Sequence, residues 1–222
     1  MKPLLIFDFD GVVADTEILA NHDLAEALTT LGLPTSLDEA MDRYMGRHWA
    51  DNEAQIVAQL GGPLPSGWVD DRRRRIRDRL TLELQEVPGL TAFLAAHGDW
   101  QRCIASSSRR EWIGLCLDKL GLGAEFERRF SGAEDVINGK PAPDLFLFAA
   151  AECGFAPGDC VVIEDSRAGV LAGVSAGMTV IGLTAGSHSR AGHGEMLRNN
   201  GAAFVADGYD EVAGFLARRA RP

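Results

Sequence analysis

The feature that most constrains this chain is a series of short, wholly apolar runs, each followed by a stretch with helical periodicity. Leu4-Leu5-Ile6-Phe7 is the first. Cys103-Ile104-Ala105 precedes Trp112, Ile113, Cys116, Leu117 and Leu120 at helical spacing, stopped by Gly121. Cys160-Val161-Val162-Ile163 precedes Val170, Leu171 and Val174, with Gly177 at the end. Thr179-Val180-Ile181 follows at once, and Ala203-Phe204-Val205 comes near the C-terminus. A strand that is apolar at every position must be buried on both faces, so the pattern predicts an α/β fold with a parallel sheet between two layers of helices. Such sheets bind ligands beyond the carboxyl ends of their strands.

From Thr16 to Leu84 the alternation stops and only helical patterns remain. Leu24, Leu28 and Leu31 line one face, ended by Gly32 and Pro34; Trp49, Ile56 and Leu60 mark another, ended by Gly61-Gly62. A third begins in the arginine-rich run from Asp70 to Arg79. The expected organisation is a core of residues 1–15 and 85–222 carrying a helical insertion, 16–84, placed like a lid over the strand ends. The arginine run reads either as an anion-binding patch or as a solvated face with local acidic partners; the second is favoured, since one phosphate rarely needs so many guanidinium groups.

A net charge of −10 argues against nucleic acid as the main partner, because phosphate backbones are bound through clustered Lys and Arg. It does not exclude a small phosphorylated ligand, whose charge one cation and a few local basic groups offset. No run approaches a membrane span, the first apolar run is too short for a secretion signal, and the four cysteines lack C-x-x-C spacing. These observations lead to the expectation of a cytoplasmic protein with reduced thiols and no membrane partner, a monomer by default.

The chemistry concentrates at strand ends. Asp8-Phe9-Asp10-Gly11 closes the first apolar run; side chains two apart on an extended chain point the same way, so both carboxylates can face one ligand. Two acids at one spot repel unless a cation lies between them or one keeps a proton, which suits either a metal site or a nucleophile beside a general acid. Ser106 ends the next run, in Ser106-Ser107-Ser108-Arg109, and either caps the following helix or, with that helix's opening N–H groups, holds a phosphoryl oxygen. Lys140 lies in Gly139-Lys140-Pro141-Ala142-Pro143, where the prolines fix the chain and so the place of one ammonium. Glu164-Asp165-Ser166 brings more acids to the same rim, unless Asp165 caps its helix. Acids for a hard cation such as Mg²⁺, a lysine, a hydroxyl and helix N-termini form a set suited to phosphoryl transfer.

The segment Phe7-Asp8-Phe9-Asp10-Gly11-Val12-Val13-Ala14-Asp15-Thr16-Glu17 resembles the first motif of the haloacid dehalogenase-like hydrolase superfamily, with Ser106, Lys140 and Glu164-Asp165 matching its second, third and fourth. The insertion resembles the cap of the sugar-phosphatase and beta-phosphoglucomutase branch. The resemblance implies a Rossmann-like doubly wound core with a helical cap, and a Mg²⁺-dependent phosphatase acting on a small phosphorylated metabolite. It further implies Asp8 as nucleophile and Asp10 as acid and base. Mg²⁺ would be held by Asp8, the Asp10 carbonyl and Asp165, with Glu164 as a ligand or its support. Ser106 and Lys140 would bind the phosphoryl group, extended by Ser107, Ser108 and Arg109.

Rival readings differ at named positions. Dehalogenases and phosphonatases of the superfamily lack an acid where this chain has Asp10. The mutase branch carries a histidine five residues after the position of Asp15, which here is Ala20, with His22 out of register. It also carries an arginine three residues after the cap glycine, which here is Trp49, although Arg47 lies nearby. A hydrolase is therefore favoured over a mutase. A non-catalytic phospho-acceptor module needs neither Asp10 nor a large cap. Arg47, His48, Trp49, Asn21 and His22 are the cap positions through which substrate would be read, with Trp49 alternatively cap core and His22 alternatively an exposed helix residue.

Overall fold

The structure is a computed structural model that describes residues 2–45 and 49–219. In chain order the elements are β1 (Leu4–Phe7), α1 (Glu17–Thr30), α2 (Leu37–Tyr44), α3 (Trp49–Leu60), α4 (Trp68–Glu83), α5 (Leu90–Ala96), β2 (Arg102–Ser106) and α6 (Arg110–Leu120). There follow β3 (Arg129–Ser131), α7 (Asp144–Cys153), β4 (Cys160–Glu164), α8 (Arg167–Ser175), β5 (Thr179–Leu183), α9 (His193–Asn199), β6 (Phe204–Ala206) and α10 (Tyr209–Arg219). Among these described helices none is long and apolar enough to cross a membrane.

The strands form one sheet in the order β3-β2-β1-β4-β5-β6, every pairing parallel. This is the parallel α/β sheet expected from the apolar runs, in the Rossmann-like arrangement that the family resemblance implies. Alternate residues of β1 face opposite layers. Leu4 and Ile6 join a core with Cys103, Val162 and Val180 beneath Leu145, Phe146 and Ala149 of α7 and Val170 of α8. On the other side Phe7 meets Phe93 and Phe126 edge-on at 6.2 and 5.3 Å. Fully burying each such side chain contributes about 1.5–3 kcal/mol. The order of connection reverses between β1 and β4, and the crevice outside the carboxyl ends there is where such sheets bind ligands.

The chain divides into two compact units, Met1–Asp15 with Gln85–Pro222, and Thr16–Leu84. The described elements of the second are helices α1 to α4, packed around Leu24, Leu28, Ala40, Tyr44 and Ile56. Trp49 packs against that cluster and stacks on Trp68 with ring centroids 6.2 Å apart. The arginines of α4 are taken up within the unit. Arg72 and Arg75 stand 3.2 and 3.1 Å from the buried Asp23 carboxylate, Arg79 2.8 Å from Glu26, and Arg73 and Arg74 pair with Asp70 and Asp71. The local-partner reading of the run therefore describes it. His22 is half-exposed and pairs with Glu26, while Asn21 is buried and donates to the Glu17 carbonyl.

Candidate active site

Asp8 is the first residue beyond β1, and its N–H donates to the Ile163 carbonyl at 2.9 Å, which ties the end of β1 to β4. The chain then turns back on itself: the N–H groups of Val13 and Ala14 both donate to the Phe9 carbonyl, and Gly11 supplies the positive φ of 78°. A side chain at Gly11 is excluded for a second reason, since its Cβ would run into the Asp165 carboxylate.

Lys140 joins the strand ends. Its Nζ lies 2.9 Å from Asp8 Oδ1 and 2.6 Å from Glu164 Oε1, with the side chain only 3% exposed. Asp8, Glu164 and Asp165 each offer a carboxylate oxygen within 4.8 Å of the others. Burial, then the Asp8 charge, pushes the Glu164 carboxyl up to about 8, against the pull of Lys140. Burial and Asp8 raise Asp165 in the same direction. Burial works against the Lys140 charge, but Asp8 and Glu164 outweigh it and hold the ammonium above the ordinary lysine value. Buried like charges at this spacing leave a deficit of positive charge that one ammonium only partly meets. All-oxygen donors at such a site fit a hard dication such as Mg²⁺.

The two alternative capping roles are not taken up. Helix α8 is capped by Ser166, whose Oγ accepts from the Gly169 N–H at 3.0 Å, so Asp165 is left to face Asp8. Helix α6 has Arg109 at its N-cap, and Ser106 Oγ instead accepts from the Ser108 N–H at 3.1 Å. Glu164 is engaged at both oxygens, Oε1 by Lys140 and Oε2 by the N–H and hydroxyl of Ser166.

Asp10 departs from the simplest expectation. The turn after Phe9 removes the extended geometry on which a shared direction depended. Its Oδ2 accepts from the Ser108 hydroxyl at 2.6 Å and its Oδ1 from the Trp112 indole N–H at 3.1 Å. Among the described residues its carboxylate is not one of the group gathered around Asp8. Ser108 thus contacts Asp10, while Ser107 and Arg109 are exposed at the mouth of α6. Arg47 and His48 lie outside the described residues.

A family profile described as haloacid dehalogenase-like hydrolase matches residues 3–177. The chain belongs to that family. Among relatives of this hydrolase are the phosphoglycolate phosphatase of Pseudomonas putida, 30% identical over 84% of this chain and 71% of that one. The fructose-1-phosphate phosphatase YqaB of Escherichia coli is 28% identical over 80% of this chain and 94% of its own. A solved haloacid dehalogenase-like protein of unknown function, ATU0790 of Agrobacterium tumefaciens, superposes with a TM-score of 0.89 at 32% identity, covering 100% of both chains.

Two features of this hydrolase's rim were missed or only half seen in its sequence. Trp112 reads as part of an apolar helix face, and nothing in the spacing shows that its indole N–H reaches Asp10. The segment from Ser187 to Arg190, which follows the Thr179 run, is expected near the rim only from its position. In the fold the Ser187 N–H donates to Asp15 at 3.2 Å and His188 Nε2 lies 2.8 Å from Asp165 Oδ2. His193, further along, reaches the Asp165 carbonyl at 2.6 Å. The one available signal is a histidine in a loop bounded by Gly186 and Gly192, with a second directly after it.

Proposed function

We propose that this hydrolase is a Mg²⁺-dependent phosphatase that cleaves a small phosphorylated metabolite through a phospho-aspartyl intermediate on Asp8. The observation that carries the proposal is the meeting of Asp8, Glu164 and Asp165 within 4.8 Å, with the Lys140 ammonium against two of them. Residues so distant in sequence gather three buried acids and one base at the switch point of the sheet, where structural needs alone would favour apolar packing.

Asp8 attacks phosphorus, and the bond to the leaving oxygen breaks as Asp10 delivers a proton to it. Water then attacks the same phosphorus, losing its proton to Asp10 and releasing phosphate and free Asp8. Ser108 and Trp112 each donate to one Asp10 oxygen, which orients the carboxyl and leaves a lone pair on each oxygen for the proton it delivers. Lys140, Ser106 and the N–H groups of Ser107 and Arg109 at the opening of α6 bind the phosphoryl oxygens, joined by the Ser108 N–H when it leaves Ser106 Oγ. Mg²⁺ held by Asp8, Asp165 and the Asp10 carbonyl would neutralise those oxygens when bound. Glu164, with both oxygens engaged, orients Lys140 and contributes its charge.

The unit Thr16–Leu84 is proposed as the cap, with Arg47 and His48 as substrate contacts. The named relatives act on fructose 1-phosphate and phosphoglycolate, which supports a sugar phosphate, a sugar-acid phosphate or phosphoglycolate as the substrate class. Free cysteines at 103, 116, 153 and 160 fit a reducing compartment, here taken as the cytoplasm, with a monomer as the working state.

The test is hydrolysis of an aryl phosphate by the purified full chain. Turnover should require added Mg²⁺ and disappear with a chelator, and Asp8→Asn should lose it while keeping the wild-type circular dichroism spectrum. A screen of the substrate classes above would then identify the metabolite. Conversion of a hexose 1-phosphate into its 6-phosphate without phosphate release would replace the hydrolase with a mutase.

A further inference from the structure

We infer that His188 is a positioning residue for the cation, its imidazole fixing the Asp165 carboxylate in the orientation from which that carboxylate meets the metal. The inference rests on the proposed metal-dependent reading of the site. Asp165 stands among like charges, Asp8 and Glu164, which push it away. Something must hold it in place. His188, 3% exposed, has its Nε2 2.8 Å from Asp165 Oδ2, where an N–H donor occupies one oxygen and leaves the other for a ligand role. The main chain of the same residue is held as well, by the His193 Nε2–H on the Asp165 carbonyl at 2.6 Å. Both imidazoles come from the segment after β5, their ring centroids 5.4 Å apart, and the Ser187 N–H anchors that segment to Asp15.

The seat of the ring is specific. A Cβ on Gly11 would stand 2.6 Å from His188 Cε1, and a Cβ on Gly186 would stand equally close at 2.6 Å. Two separate stretches of chain therefore carry no side chain where the imidazole lies. The ring is not itself among the gathered donors. Its effect passes through Asp165, in the way that groups hydrogen-bonded to metal-binding carboxylates set their orientation.

The experiment measures Mg²⁺ affinity of the full chain without substrate, by calorimetry and by the Mg²⁺-dependent shift in Tm. His188→Ala should weaken Mg²⁺ binding by roughly 10–100-fold. The Mg²⁺ concentration for half-maximal turnover of the aryl phosphate should rise in step, while KM for the aryl phosphate stays constant. His188→Gln keeps an N–H at a similar reach and should recover much of the affinity. Gly186→Ala, which crowds the ring without touching Asp165, should reproduce the defect. Equal Mg²⁺ affinity in wild type and both disruptive variants, with only the metal-free Tm lowered, would overturn the clamp and leave a packing role. Wild type that binds no Mg²⁺ would instead remove the metal-dependent reading, and the clamp with it.

Discussion

Gly169 illustrates how closely the rim is built around its charged groups. Alanine in a helix interior normally stabilises by up to about 1 kcal/mol relative to glycine. Here a Cβ would overlap the Glu164 carboxylate, which Lys140 and Ser166 hold from the other sides. Gly169→Ala should therefore destabilise, by about 1–3 kcal/mol as overpacking does, and urea denaturation would show the reversed sign. Asp8, Lys140 and Asp165 could be placed at one rim from sequence because the two acids follow apolar runs and the lysine is held by the prolines just beyond it, and such features report on backbone direction. The partners of Asp10 could not. They depend on a tight turn after Phe9 and on the rotamer of a tryptophan whose spacing reads as core.

At the level of elements, the same contrast separates helices that their spacing marks out from others that it does not, α2 among them. Helices α1, α3 and α6 are bounded by glycines, with positive φ at Gly32, Gly61 and Gly121, and their apolar spacing is regular. Helix α2 is only eight residues long, with Ala40, Met41 and Tyr44 as its buried side, and begins with Ser36-Leu37-Asp38-Glu39, a reciprocal cap in which Ser36 Oγ accepts from the Glu39 N–H and Glu39 Oε2 accepts from the Ser36 N–H. Ser36→Ala should lower stability by about 1 kcal/mol, read as a shift in the urea midpoint with unchanged slope. Strand β3 was hidden for another reason. Arg129-Phe130-Ser131 has no apolar run, and it is a strand because the edge of β2 accepts it, register partner by register partner.

For the molecule as a whole, the raised carboxyls set a pH dependence. Glu164 moves from an ordinary value of 4.5 to about 8, and Asp165 rises in the same direction. Between these limits the folded metal-free protein keeps a proton that the unfolded chain has released. Stability therefore falls as pH rises through the window, by up to about 1.4 kcal/mol per pH unit for each such proton. On the proposed metal-dependent reading a bound cation would displace those protons, so the Tm gained on adding Mg²⁺ should be larger at pH 8 than at pH 5. Equal gains at the two pH values would contradict the assignment of Asp165 to the cation.

The position of β1 in the sheet has a consequence for synthesis. Of the six strands described it is made before the others, yet its neighbours are β2 and β4, and it lies inside the finished sheet. Until β4 is made, a nascent chain carries the nucleophile candidate beside a strand edge that is still open. Asp165, on the far side of β4, emerges late. Half-made chains thus carry Asp8 without its companions, and competence arrives only when the sheet closes around the strand that was made first.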